Sequence, residues 1–112
     1  MNEFKINNRI WIEKKGKPFL GNGRITLLES IDKEGSINRA SKLLGMSYKR
    51  AWQLINAINE LADEPLVVRT TGGPGGGGTE LTKKGRKVIV EFRRIDKKCQ
   101  EILKKELKQC CF

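Results

Sequence analysis

Residues 72–78 read Gly-Gly-Pro-Gly-Gly-Gly-Gly, and no regular element can pass through such a run. Glycine loses more backbone freedom on ordering than any other residue, and proline has no amide hydrogen to donate. Every helix or inner strand must stop before the run and a new element must start after it. The flanks, Val67-Val68-Arg69-Thr70-Thr71 and Thr79-Glu80-Leu81, include β-branched residues that suit short strands. Two strands joined by a glycine-rich tip are therefore expected over residues 66–81. A nucleotide-cradling loop would need Gly-Lys-Ser/Thr opening a helix, whereas Gly77-Gly78 leads into Thr79-Glu80-Leu81.

Upstream, apolar residues at 4, 6, 10 and 12 keep a period of two broken only at Asn8, which predicts a half-buried strand over residues 4–13. Lys15-Gly16-Lys17-Pro18 is a turn signal, and Phe19-Leu20 can pair back, so residues 1–22 form an N-terminal β-hairpin in which Trp11 serves packing or an interface. From Arg24 the period changes. Ile25, Leu28 and Ile31 fall at helical spacing, and Gly35 ends a helix over 24–34. Ser36 then caps a short helix whose apolar face is Ile37, Ala40, Leu43 and Leu44, stopping at Gly45. Met46 fills the corner and Ser47 caps a third helix to about residue 62. Its apolar face is Ala51, Leu54, Ile55, Ile58 and Leu61, and its polar face offers Lys49, Arg50, Gln53 and Asn56.

Thr82 caps a last helix over 82–109, with Gly85 tolerated in its first turn. At 1.5 Å per residue it spans about 40 Å. Val88, Phe92, Ile95, Cys99 and Ile102 follow heptad-like steps and are flanked by Ile89 and Leu103. That seam is wider than one short domain easily buries, so it predicts a homodimer.

Composition removes whole classes of function. No apolar run approaches the roughly 18–20 residues of a membrane span, and the first residues lack a leader pattern, so a cytoplasmic protein without a membrane partner is expected. There is no histidine, which removes the usual general base and any mixed Cys/His ligand set. Cys99, Cys110 and Cys111 lack metal-site or disulfide spacing. Neither catalysis, metal, cofactor nor a small-molecule site is expected. What needs a partner is charge: the chain carries +10 at neutral pH, and residues 82–112 hold +7 of it.

Two short helices joined at Leu44-Gly45-Met46-Ser47 make a helix-turn-helix, in which small Ala40 permits a close crossing. The second helix of such a pair enters the major groove and reads base edges with its N-terminal exposed residues. Arg50 has the donors for a guanine, Gln53 for an adenine, Lys49 for guanine or phosphate, and Ser47 and Tyr48 carry hydroxyls for phosphate oxygens. Double-stranded DNA is the expected partner. The candidate contacts are Ser47, Tyr48, Lys49, Arg50, Gln53 and Asn56 on the helix. In the wing they are Arg69, Thr71, Gly72, Gly73, Gly75, Gly76, Gly77 and Gly78, where backbone amides can approach phosphates without a Cβ in the way. Trp52 lies between the polar and apolar faces, where packing is favoured over base stacking. A passive hairpin tip and a merely solvated helix face remain the alternatives.

Gly35-Ser36-Ile37, the stretch from Leu44 to Trp52, Asn56 to Leu61, and above all Thr71 through Gly78 followed by Leu81-Thr82 together resemble the N-terminal DNA-binding domain of the ModE-type molybdate-dependent transcriptional regulators. The resemblance covers residues 23–95. It implies a LysR-like winged helix-turn-helix, mainly α with small β elements, that binds operators as a homodimer in molybdate- or tungstate-related regulation. Full-length members of that family continue into molybdate-binding domains, and the present chain ends at Cys111-Phe112, so it is expected to lack its own. Two other readings stay open: a module that pairs with a full-length regulator, and a nonspecific nucleic-acid or membrane-surface binder acting through the basic C-terminal helix.

Overall fold

The computed structural model of the chain describes residues 3–70 and 78–112. Strands β1 (Trp11–Lys14) and β2 (Lys17–Gly21) pair antiparallel, with Trp11 opposite Gly21 and Ile12 opposite Leu20. Lys15 and Gly16 both have positive φ, at 54° and 75°. That is the two-residue hairpin connection whose twist matches the flanking strands. The expected strand over 4–13 is corrected: regular pairing begins only at Trp11, and Phe4 and Ile6 are exposed. The physical reason is the length of the partner, since β2 has five residues and a ladder cannot outrun the strand it bonds to. Phe4 instead meets Phe112 with ring centroids 5.7 Å apart.

Helix α1 (Asn22–Glu34) buries Ile25, Leu27, Leu28 and Ile31. Gly35 ends it in the left-handed region at φ 69°, donating its N–H to the Ile31 carbonyl. Helix α2 (Ile37–Leu43) starts at Ser36, whose hydroxyl accepts from the Arg39 amide at 3.2 Å. Ile37, Ala40 and Ser41 are buried, and the Ser41 hydroxyl is satisfied by donating to the Asn38 carbonyl. Leu43 departs from expectation at 67% exposed. At about 100° per residue, Leu44 closes the inward arc and Leu43 falls beyond its edge.

A tight turn at Gly45 (φ 68°) leads into α3 (Tyr48–Leu61). The Met46 amide donates to the Ser41 carbonyl across this corner. Ala51, Ile55 and Ile58 of α3 join the core, with α3 packed on α2 and β2, while Leu54 and Leu61 are half-buried.

Strands β3 (Val67–Arg69) and β4 (Thr79–Leu81) form the second antiparallel ribbon, Val67 opposite Leu81. Thr82 then caps α4 (Lys83–Leu107): its hydroxyl accepts from the Gly85 amide and donates to the Pro65 carbonyl. Gly85 is more than tolerated here. A Cβ at that position would run into the carbonyl oxygen of Leu66, so the absent side chain is what lets α4 cross the wing so closely. The core gathers residues of β2, α1, α2, α3, both wing strands and Phe92 of α4.

Candidate nucleic-acid interface

Helix α3 has a hydrophobic wall toward the core, so its remaining surface divides into strips by angle alone. Opposite the wall lie Lys49, Gln53 and Asn56, at steps of four and three, and all are exposed. Ser47 precedes them as the N-cap, its hydroxyl oxygen accepting from the Arg50 amide at 3.0 Å. A hydroxyl that accepts one bond keeps its own proton to donate. Tyr48 and Arg50 are exposed as well.

On the flank toward the wing stand Tyr48, Trp52 and Asn59. The Arg69 guanidinium sits 4.3 Å from the centre of the Trp52 ring, a distance at which the ring face attracts a cation. Tyr48 meets the same indole edge-on at 6.1 Å. Asn59 completes the tie: its amide nitrogen donates to the Val67 carbonyl, and its oxygen accepts from the amides of Leu66 and Val67. The expectation that Trp52 packs agrees with its half-buried position against the core. Its use as a platform for Arg69, and the role of Asn59, were invisible to periodicity because both depend on which strand lies beside the helix.

On the other flank Arg50 faces Arg24. Arg24 donates from one guanidinium nitrogen to the carbonyls of Pro18 and Phe19. Partial burial, and then the charge of Arg50, lower its pKa from the usual arginine value. Among the described residues no carboxylate pairs with Lys49, Arg50 or Arg69. The ion pairs lie elsewhere, as in Arg93–Glu29, Arg86–Asp32 and Lys14–Asp63.

Of the wing residues singled out by sequence, Arg69 and Gly78 are described, and Thr71, Gly72, Gly73, Gly75, Gly76 and Gly77 lie outside the described residues. Gly78 has a packing reason of its own. Its amide donates to the Thr70 hydroxyl at 2.8 Å, and a Cβ there would stand 2.7 Å from the Gly35 carbonyl oxygen. The Thr79 amide donates to that same carbonyl. The wing is thus rooted on the turn that ends α1.

The C-terminal seam needs a correction. Phe92 is 1% exposed within one chain and so cannot form part of a dimer face. Val88 and Ile89 also pack against the core. Because α4 lies across α1 and β4, the first part of its stripe is consumed inside the protomer. Ile95 and Ile102 remain 40% and 61% exposed, with Cys99 and Leu103 half-buried beside them.

Among the described residues there is no group of three or more potential metal ligands, and no helix is long and apolar enough to cross a membrane.

Residues 23–86 match the family described as bacterial regulatory helix-turn-helix proteins, lysR family. The chain is 51% identical over 84 residues to the molybdenum transport protein ModE of Azotobacter vinelandii, which covers 75% of this chain and 31% of that protein. Against the DNA-binding transcriptional dual regulator ModE of Escherichia coli (strain K12) the identity is 48% over 73 residues, 65% of this chain and 28% of that one. The chain therefore spans about a third of the length of these curated relatives. Its fold is similar to that of a MarR family transcriptional regulator from Silicibacter pomeroyi DSS, with a TM-score of 0.53 at 20% identity, over 83% of this chain and 74% of that chain. A helix-turn-helix built on Gly45, a wing ribbon rooted at Gly35, and a family match running through both converge on one assignment: the chain belongs to the LysR family of bacterial regulatory helix-turn-helix proteins, with ModE regulators among its relatives.

Proposed function

We propose that the chain binds a specific double-stranded DNA site as a homodimer and regulates transcription there, at genes of molybdate or tungstate handling. The observation that carries this reading is the exposed strip Lys49–Gln53–Asn56, set opposite the buried wall of α3 with no carboxylate paired to Lys49 or to neighbouring Arg50 among the described residues. Two cations without an acidic partner in the first turns, the part of a recognition helix that meets base edges, suit a helix in the major groove better than a merely solvated face, and exposed Glu60 falls a turn beyond Asn56. Gln53 pairs with an adenine edge, Arg50 with a guanine, and Lys49 with guanine or phosphate. Ser47 and Tyr48 hold phosphate oxygens, Asn56 extends the strip, and Arg69 with Thr71 and the wing glycines follows the adjacent backbone. The molybdenum association comes from the names of its relatives. No catalytic step is assigned, and the site of action is the cytoplasm.

The second copy docks on the part of α4 left uncovered, at Ile95, Cys99, Ile102 and Leu103. That strip continues into a groove of about 340 Å³ lined mainly by apolar residues, Ile12, Phe19, Val88 and Ile95 among them, and also by Lys14, Asp63, Lys84 and Glu91. A two-fold pair presents two α3 helices to a pseudo-palindromic site.

Selection of bound fragments from a random duplex pool, paired with sedimentation of the free chain, tests both parts. One enriched two-fold motif and a dimeric mass are expected. Equal retention of all sequences overturns the specific-site reading. A monomer that dimerises only when mixed with a full-length ModE relative replaces the homodimer with a mixed one.

A further inference from the structure

On the side of α3 away from the wing, a shallow depression of about 820 Å³ opens between the hairpin, the start of α1 and the start of α3. Three of its lining residues are arginines, Arg9 from the N-terminal segment, Arg24 from α1 and Arg50 from α3, and Trp11 and Asn22 also line it. Its described lining contains no carboxylate. Arg24 is partly desolvated and lies in the field of Arg50. The hydrogen bonds from Arg24 to the Pro18 and Phe19 carbonyls fix its guanidinium at the rim without neutralising it. Three arginines lining one open hollow with no carboxylate in its described lining suit a phosphate oxyanion, which guanidinium groups bind through charge and planar donors together.

We infer that this depression takes a backbone phosphate of the bound DNA, on the opposite side of the recognition helix from the wing. The inference rests on the DNA-binding reading above and deepens it. With the wing gripping one side and Arg9 and Arg24 the other, α3 is held in the groove from both flanks. Contacts of this kind carry no base information, so they act equally on every sequence.

The test is the salt dependence of duplex binding, measured on the selected site and on mixed-sequence DNA, for the parent, Arg9→Gln, Arg24→Gln and Arg24→Lys. Each phosphate contact removed should lower the slope of log K against log salt by about one. Arg9→Gln is expected to lose affinity several-fold on both DNAs with that change of slope and an unchanged melting temperature. Arg24→Lys, which keeps the charge, should keep the parent slope. Arg24 also ties down the hairpin, so if Arg24→Gln fails to fold, Arg9→Gln decides. Parental slopes in folded Arg9→Gln and Arg24→Gln overturn the phosphate site while leaving DNA binding standing. A loss confined to the selected site overturns it too, by making these base contacts. A parent that binds no duplex removes the proposed function and this site with it. Inorganic phosphate, titrated at constant ionic strength and followed by tryptophan emission in a Trp52→Phe background that leaves Trp11 as the one indole, separates the sources. Saturation at micromolar phosphate with parental DNA slopes in the variants would mark a free-anion site and overturn the assignment to DNA.

Discussion

Helices α3 and α4 are both amphipathic, yet they dispose of their two faces in opposite ways. In α3 the apolar face is taken up by the protomer, through Ala51, Ile55 and Ile58, and what remains outside is polar, basic in its first turns at Lys49 and Arg50 and acidic at Glu60 in its last. In α4 the apolar stripe is divided: Phe92 is wholly buried, while Ile102 stands largely in solvent. Toward α1, α4 pairs its charge through Arg93–Glu29 and Arg86–Asp32, and Lys87 meets Glu91 along the helix, whereas neither cation of α3, Lys49 or Arg50, has an ion pair among the described residues. Unspent charge and unspent apolar surface call for different partners. The first suits a polyanion whose counterions are released on contact, the second a surface that excludes water.

The largest effect should come from the buried end of α4. Phe92→Ala is expected to cost about 3–5 kcal/mol of folding stability, as a large side chain deleted from a closed core does. Ile102→Ala should cost far less in the isolated protomer. Denaturant melts below the association concentration measure both, and comparable losses would erase the division drawn within α4.

Next comes the exposed end. Replacing both Ile95 and Ile102 by Asp should give folded monomers in sedimentation at micromolar concentration, with operator affinity reduced more than tenfold. A dimer that survives this change places the interface elsewhere.

On α3, Arg50→Ala and Gln53→Ala are each expected to cost about 1–3 kcal/mol on the selected site and to relax base choice there. An equal loss on mixed-sequence DNA would reassign either residue to a phosphate. Trp52→Leu removes the platform under Arg69 and should cost about 0.5–1 kcal/mol of DNA affinity. Trp52→Phe, which keeps a ring face, should recover most of it. Identical behaviour of the two variants would leave the indole a packing group only.

The smallest effect concerns acid. The Lys14 ammonium donates to Asp63, and this bond, followed by its charge, holds the Asp63 carboxyl below its ordinary value of 3.8. A carboxyl lower in the folded than in the unfolded chain contributes stability that is complete above the unfolded value. That contribution fades as the pH falls through the folded one. Asp63→Asn should therefore slightly lower the stability at neutral pH and flatten the acid limb of the profile below about pH 4 by the same small amount, the two chains converging at the acid end. An acid limb identical to the parent's would remove the link.

The helix-turn-helix was legible because its signals are local. Ser36, Ser47 and Thr82 each cap the helix that follows, and Gly35 and Gly45 each take the positive φ expected of a terminator. The strip Lys49–Gln53–Asn56 was legible for the same reason, since 3.6-residue periodicity sets an outer face once the inner one is known. The flanks of the site were not. Arg24 lies 26 positions before Arg50, and Arg69 lies 17 after Trp52, so no pattern of spacing joins them. Asn59 reads as an unremarkable mid-helix polar residue until β3 is laid beside it.

What the amino-acid sequence determined by itself is every feature that one turn of backbone can express: the caps, the glycine stops, the break at residues 72–78 and the orientation of each amphipathic face. What only the tertiary structure decided is where two faces compete for the same neighbour. The strand predicted over 4–13 lost most of its length because β2 is too short to pair with it. The seam predicted along α4 lost Phe92 because Gly85 lets the helix cross against Leu66 and run over α1. Periodicity states that a side chain seeks burial. Whether its own chain or another copy supplies that burial depends on the distance between elements far apart in sequence, which close packing sets.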